Sequence, residues 1–119
     1  MAAVLPMPAS AQDATVALPG GQPASILETL AEEGGVYRLR LVVPALADLV
    51  GAPADLSAAM DMACTDIALP ALADAAPAPA RIVVSMSEIP TEFGIANPGV
   101  LQVFEAYTVD GDRCIWEPF

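Results

Sequence analysis

The stretch that most constrains this chain is its end, Val100 to Phe119. It reads Val-Leu-Gln-Val-Phe-Glu-Ala-Tyr-Thr-Val-Asp-Gly-Asp-Arg-Cys-Ile-Trp-Glu-Pro-Phe, two β-rich runs flanking Asp110-Gly111-Asp112. An Asp-Gly step between apolar runs is a strong short-range hairpin signal, because glycine accepts the positive φ that a tight turn demands. The stretch also holds the only Trp, one of the two Cys and one of the two Tyr. Aromatic residues make up 5% of the chain, so this hairpin is its densest source of large apolar side chains.

Two registers compete. A two-residue turn at Asp110-Gly111 puts Glu105, Tyr107, Val109, Asp112, Cys114 and Trp116 on one face. A three-residue loop over Asp110-Gly111-Asp112 puts Phe104, Ala106, Thr108, Cys114 and Trp116 on one face and Glu105, Arg113 and Glu117 on the other. The second arrangement separates apolar from charged residues, as a half-buried antiparallel sheet requires. It is the expected register, with Trp116 buried.

At 119 residues the chain has room for one domain with a modest core. Met1 to Gln12 reads MAAVLPMPASAQ, and Ala9-Ser10-Ala11 has the small-x-small form of a signal-peptidase site. Residues 1–13 are therefore expected to be a disordered tail or the remnant of an export signal, and residues 14–119 a single domain. Ala14 to Leu18 is a short β-prone run ended by the turn-forming Pro19-Gly20-Gly21-Gln22-Pro23. Ser25 to Glu33 is ambiguous: Ile26, Leu27, Leu30 and Ala31 fit helical spacing, yet the early residues read as strand.

Val36 to Val43 alternates clearly. Tyr37, Leu39, Leu41 and Val43 point inward, and Arg38 and Arg40 lie on an exposed face. From about Pro53 or Asp55 to Ala68 the positions Leu56, Met60, Cys64 and Ile67 form the apolar stripe of a helix that Pro70 closes. The methionines there read as core fillers rather than metal ligands. Arg81 to Ser87 reads as a central strand, placed to pair in parallel with the strand before the helix. Glu88 to Gly99 is a long loop carrying Phe93. The expected fold is α+β: one main helix packed on a four- to five-stranded antiparallel or mixed sheet, ending in the C-terminal hairpin, with Trp116 against Leu56, Met60 and Cys64.

Charge and missing residue types narrow the chemistry. Four basic residues against fifteen acidic ones give a net charge of −11. That excess disfavours nucleic acid and anionic membrane surfaces as partners and suits a partner with a basic surface. The chain has no His and no Lys, which removes Ser-His-Asp, Cys-His and His-metal sites and Schiff-base or Ser-Lys chemistry. No glycine-rich phosphate loop follows a strand. A carboxylate pair is conceivable, for instance Glu88 with Glu92 or Glu105, but nothing in the sequence brings one together. Asp110, Asp112 and Glu117 lack the spacing of a calcium loop and are accounted for by the turn. No catalytic, cofactor or metal site is expected, nor a membrane span, since nothing reaches the roughly 20 apolar residues one needs.

Cys64 falls on the helix stripe and Cys114 on the final strand. Two Cys and no others suggest one bridge formed in an oxidising compartment, the alternative being two buried thiols. The absence of a Cys-x-x-Cys pair argues against redox catalysis.

The strand RLRLVVP, the segment Met60-Asp61-Met62-Ala63-Cys64 running to Ala68-Leu69-Pro70, the strand IVVSMS and the ending FEAY…DG…CIWEPF resemble a family of small exported proteins of alphaproteobacteria whose function is not established. The resemblance spans the chain from about Val16. It implies export and pairing of Cys64 with Cys114, and it implies no activity. The expectation from the sequence is thus a periplasmic or secreted, non-catalytic accessory or protein-interaction domain, with Phe93, Trp116 and Phe119 as candidate contact residues. The rival is a small-ligand or inhibitor-like module using the 88–99 loop.

Overall fold

The computed structural model describes residues 15–118. Phe119 and residues 1–13, the expected tail or signal remnant, lie outside the described residues. Six strands form one sheet in chain order: β1 (Thr15–Ala17), β2 (Pro23–Ala31), β3 (Val36–Val42), β4 (Arg81–Ser87), β5 (Gln102–Asp110) and β6 (Arg113–Glu117). Every neighbouring pair is antiparallel except β3–β4, which is parallel. A parallel pair needs a crossover. Here the crossover holds helices α1 (Leu46–Val50) and α2 (Pro53–Met62) and their continuation to Ala71, all on one side of the sheet.

The α+β class and mixed sheet match the sequence reading, but the strand count is six rather than four or five. The added strand is the ambiguous segment after Pro23. It runs as a nine-residue strand because β3 offers a full edge to pair with, from Ser25↔Val42 to Ala31↔Tyr37. The strand character read in its early residues holds through Ala31, and its ambiguity has a definable reason. The register shifts between Ile26 and Glu28, so Leu27 is an extra, bulged residue that breaks the period of two. With the alternation interrupted, Ile26, Leu27, Leu30 and Ala31 mimic helical spacing.

The core lies between the helices and one sheet face. Tyr37, Leu39 and Leu41 of β3 and Ile82, Val84 and Met86 of β4 are buried there, with Tyr107 of β5 beside them. The helices meet them with Leu46, Leu49, Ala59, Met60, Ala63 and Cys64. The small Ala59 and Ala63 let the helix backbone approach the sheet closely, which suits a chain poor in aromatics. After Met62 the helix widens into a π segment, Ala63–Ala68, where the Leu69 N–H bonds back to the Cys64 carbonyl. Pro70 follows directly. It has no N–H and its ring crowds the carbonyl four residues earlier, so the wider turn accommodates it and the helix continues to Ala71. Gly35 has φ +77°, and a Cβ there would stand 3.2 Å from the Ala78 carbonyl oxygen, so the close approach of the returning chain needs glycine.

The opposite sheet face carries Arg38, Arg40, Val83, Ser85, Ala106 and Thr108, and the 88–99 loop crosses it. Arg40 lies on the expected face yet is buried rather than solvated. Its guanidinium pairs with the Glu28 carboxylate, and one nitrogen donates to the Thr91 carbonyl at 2.9 Å and the Thr91 hydroxyl at 2.8 Å. The loop is held at its ends as well. The Ser87 hydroxyl donates to the Ile89 carbonyl at 2.7 Å, and Glu88 Oε2 accepts the Leu101 N–H at 3.0 Å. Arg40 therefore acts as the anchor of a strap, a role that a single alternating strand does not reveal.

Arg40→Ala should lower the unfolding free energy by about 2–3 kcal/mol, the scale of losing charge-assisted hydrogen bonds from a buried donor. Urea denaturation measures the loss, and amide exchange should accelerate selectively in the strap around Thr91. Unchanged exchange there would show that the strap holds without its anchor.

Candidate interaction surface on the C-terminal hairpin

β5 and β6 form the hairpin foreseen from the sequence, but in neither of the two weighed registers. Asp110 pairs with Arg113, so the turn is Gly111-Asp112, and the ladder runs Val109↔Cys114, Thr108↔Ile115, Tyr107↔Trp116, Ala106↔Glu117. Gly111 takes φ 65° as the first turn residue. The favoured three-residue loop is overturned. The faces are those of the rejected alternative, because its pairing differs from the true one by two residues and a shift of two preserves every side chain's face. Glu105, Tyr107, Val109, Cys114 and Trp116 look toward the helices, and Phe104, Ala106, Thr108, Ile115 and Glu117 look away.

The charge that argued against this face has a partner on it. Glu105 Oε1 accepts the Trp116 indole N–H at 2.8 Å. Trp116 is 54% exposed, so its expected burial against the helix is also overturned. The cross-strand neighbour Tyr107 takes the core position instead and is 1% exposed. β6 is the outermost strand, and Trp116 sits at the rim of the helix layer. There a small cavity of about 210 Å³ separates it from Pro53, Leu56, Ser57 and Met60. Burial holds the Tyr107 phenol well above its ordinary value near 10, reinforced by its hydrogen bond to the Asp61 carboxylate and by the negative charges of Asp61 and Glu105.

A covalent bond also fastens the hairpin to the helix layer. Cys64, fully buried in the π segment, is bonded to Cys114 across 6.2 Å between Cα atoms. The loop it closes spans 50 positions, worth about 4 kcal/mol in the chain-entropy account. With that tie and the β5–β4 ladder, the hairpin presents its apolar side chains on a fixed frame. Phe104 is 56% exposed, and Ile115 on the same face is 38% exposed. Both were missed as contact residues because the favoured register left Ile115 unplaced and put Phe104 on the buried face. The Arg81–Glu117 ion pair, 2.9 Å, and the Glu117–Thr108 hydrogen bond border them.

Of the candidate contact residues, Phe93 and Trp116 are both about half exposed but lie on opposite sides of the sheet, and Phe119 is outside the described residues. Phe93, on the strap, stacks under Arg38 at 5.2 Å and Arg40 at 5.6 Å from guanidinium carbon to ring centroid. A larger open groove of about 590 Å³ runs between the end of the helix and the hairpin tip, lined mainly by apolar residues such as Leu69, Pro70, Pro79 and Val109. Glu88, from the conceivable carboxylate pair, is committed to the Leu101 amide, and Glu105 to Trp116 on the other side of the sheet. Among the described residues no cluster of acidic or cysteine side chains is grouped to hold a metal ion, and no helix is long and apolar enough to cross a membrane.

Two outcomes follow from this geometry. Trp116→Ala should cost only about 1 kcal/mol, because a half-exposed indole forfeits one hydrogen bond and partial burial rather than a core contact. Thermal or urea unfolding checks this, and a loss of several kcal/mol would return Trp116 to the core. Tyr107 supplies the second. Its phenol binds the proton more tightly folded than unfolded, so its contribution is complete below the unfolded pKa of about 10 and is lost as pH rises above it, at about 1.4 kcal/mol per pH unit. Tyr107→Phe should remove that alkaline slope, measured as the wild-type-minus-variant difference in unfolding free energy across the range from about pH 9 to 11.

No curated protein and no solved structure matches the chain. The model of a family of unknown function (DUF6497) matches residues 2–119, and the chain, with its disulfide-tied hairpin, belongs to that family.

Proposed function

We propose that this protein is a non-catalytic interaction domain working in an oxidising compartment, the periplasm or the cell exterior, as an accessory to a protein partner. The observation that carries the reading is the exposure of Phe104 and Ile115 on one face of a short hairpin, with Trp116 exposed on its other face, all on strands held by a disulfide and a six-stranded sheet. Large apolar side chains exposed together on a fixed frame are the usual mark of a contact surface, since leaving them in water has a cost that binding recovers. The bond between Cys64 and Cys114 supports an oxidising compartment, where such bonds persist. The net charge of −11 supports a partner whose contact surface is basic. The family resemblance of the strands and of the FEAY…CIWEPF ending supports export from an alphaproteobacterial cell. The rival small-ligand reading has less support, because Thr91, a polar group of the 88–99 loop, is spent holding Arg40.

The test is capture from periplasmic extract by immobilised full-length protein with its disulfide intact. Wild type should retain a specific protein that the Phe104→Ser, Ile115→Ser double variant loses, at an unchanged melting temperature. Release of that protein by salt would reflect its basic surface. Equal capture by both proteins, or no specific capture by either, would overturn the reading.

A further inference from the structure

The two sides of the sheet treat aromatic rings and charge in opposite ways. On the strap side, the Phe93 ring lies under two guanidinium groups, and those groups are paired with carboxylates, Arg38 with Glu32 at 2.7 Å and Arg40 with Glu28. This is a complete cation site, with a ring face, acidic partners and the cation itself supplied by the chain. All four basic residues of the sequence, Arg38, Arg40, Arg81 and Arg113, fall on this side by register. On the helix side the ring and the acids recur without a basic side chain. Trp116 is half exposed, Glu105 receives its indole N–H on one oxygen and keeps a second, and Asp61 holds the Tyr107 phenol next door.

We infer that the cavity bounded by Trp116, Tyr107, Glu105 and Ser57, with Pro53, Leu56 and Met60 as its apolar wall, receives a single cationic side chain, a lysine ammonium or an arginine guanidinium whose methylenes pack on that wall, projected by the protein partner. Size supports one side chain. The cavity of about 210 Å³ is smaller than the roughly 300 Å³ at which small-molecule sites begin. Chemistry supports a cation: an indole is the best aromatic ring for one, and a carboxylate such as Glu105 can accept a charged N–H on its second oxygen. The surroundings support it too. From residue 43 to residue 80 the crossover carries Asp48, Asp55, Asp61, Asp66 and Asp74 and no basic residue, so no basic side chain of the helix layer repels an approaching cation. The Tyr107 phenol, held neutral chiefly by burial, is held so further by the Asp61 and Glu105 carboxylates beside it.

This deepens the interaction reading by naming the partner's chemistry at one point, and its test does not depend on finding the partner. Trp116 is the only tryptophan, so the full-length protein gives one indole N–H resonance. That resonance is followed during titration with N-acetyl-lysine methylamide, N-acetyl-arginine methylamide and the neutral N-acetyl-norleucine methylamide. Both cations should shift it saturably, and norleucine should bind at least about tenfold more weakly. Glu105→Gln should weaken the cations by about fivefold or more at an unchanged melting temperature, whereas Glu92→Gln, on the strap, should leave them unaffected. Equal shifts with norleucine, no saturable shift with either cation, or full affinity in Glu105→Gln would each overturn the inference. Failure of partner capture with an intact cation titration would overturn the interaction reading alone.

Discussion

The parallel pairing of β3 with β4 governs the rest of the structure. Parallel neighbours cannot be joined by a tight turn, so the chain between Val42 and Arg81 must cross the sheet, and it does so carrying every α-helix of the described residues. One face of the sheet thereby receives the helix layer and the apolar alternation of both strands. The other face receives none of it. Its central arginine is instead sealed by the 88–99 strap, which reaches back to Arg40 through Thr91. Arg40 is affordable inside only because three acceptors converge on its guanidinium, and with Glu28, Thr91 and the Phe93 ring around it the charge is buried without being left unsatisfied.

The helix layer meets the last strand at Cys114 and leaves Trp116 at its margin, and this sets the character of the surface. Tyr107 on β5 lies under the helix and is buried, while Trp116, its direct partner on β6, stands at the margin and is half exposed. An edge hairpin with so little cover would be held by its ladder alone. The Cys64–Cys114 bond ties it to the most deeply buried part of the helix. The exposed apolar residues are therefore presented on a rigid support, which lowers the entropic cost of engaging a partner.

The hairpin shows how near a sequence argument can come and still invert a face. Both the existence of the turn and the elements flanking it were legible from Asp110-Gly111 and the β-rich runs. The register was not, because a carboxylate and core residues are not expected to share a face. Glu105 does share it, since the Trp116 indole supplies a donor that removes the objection. The second strand was obscured by a single bulged residue, Leu27, which hides alternation without altering the pairing that holds the strand in place.

What the sequence by itself determined is local. Alternation along Val36–Val43 and Arg81–Ser87, the stripe from Leu56 through Cys64, the hairpin turn and the two-cysteine count are properties of neighbouring residues, and each is realised in the structure. What only the tertiary structure decided depends on where a layer ends. Whether Arg40 is wet or sealed turns on a loop 51 residues away. Whether Trp116 is core or surface turns on how far α2 reaches across the sheet, a distance set by packing between elements that no local pattern encodes.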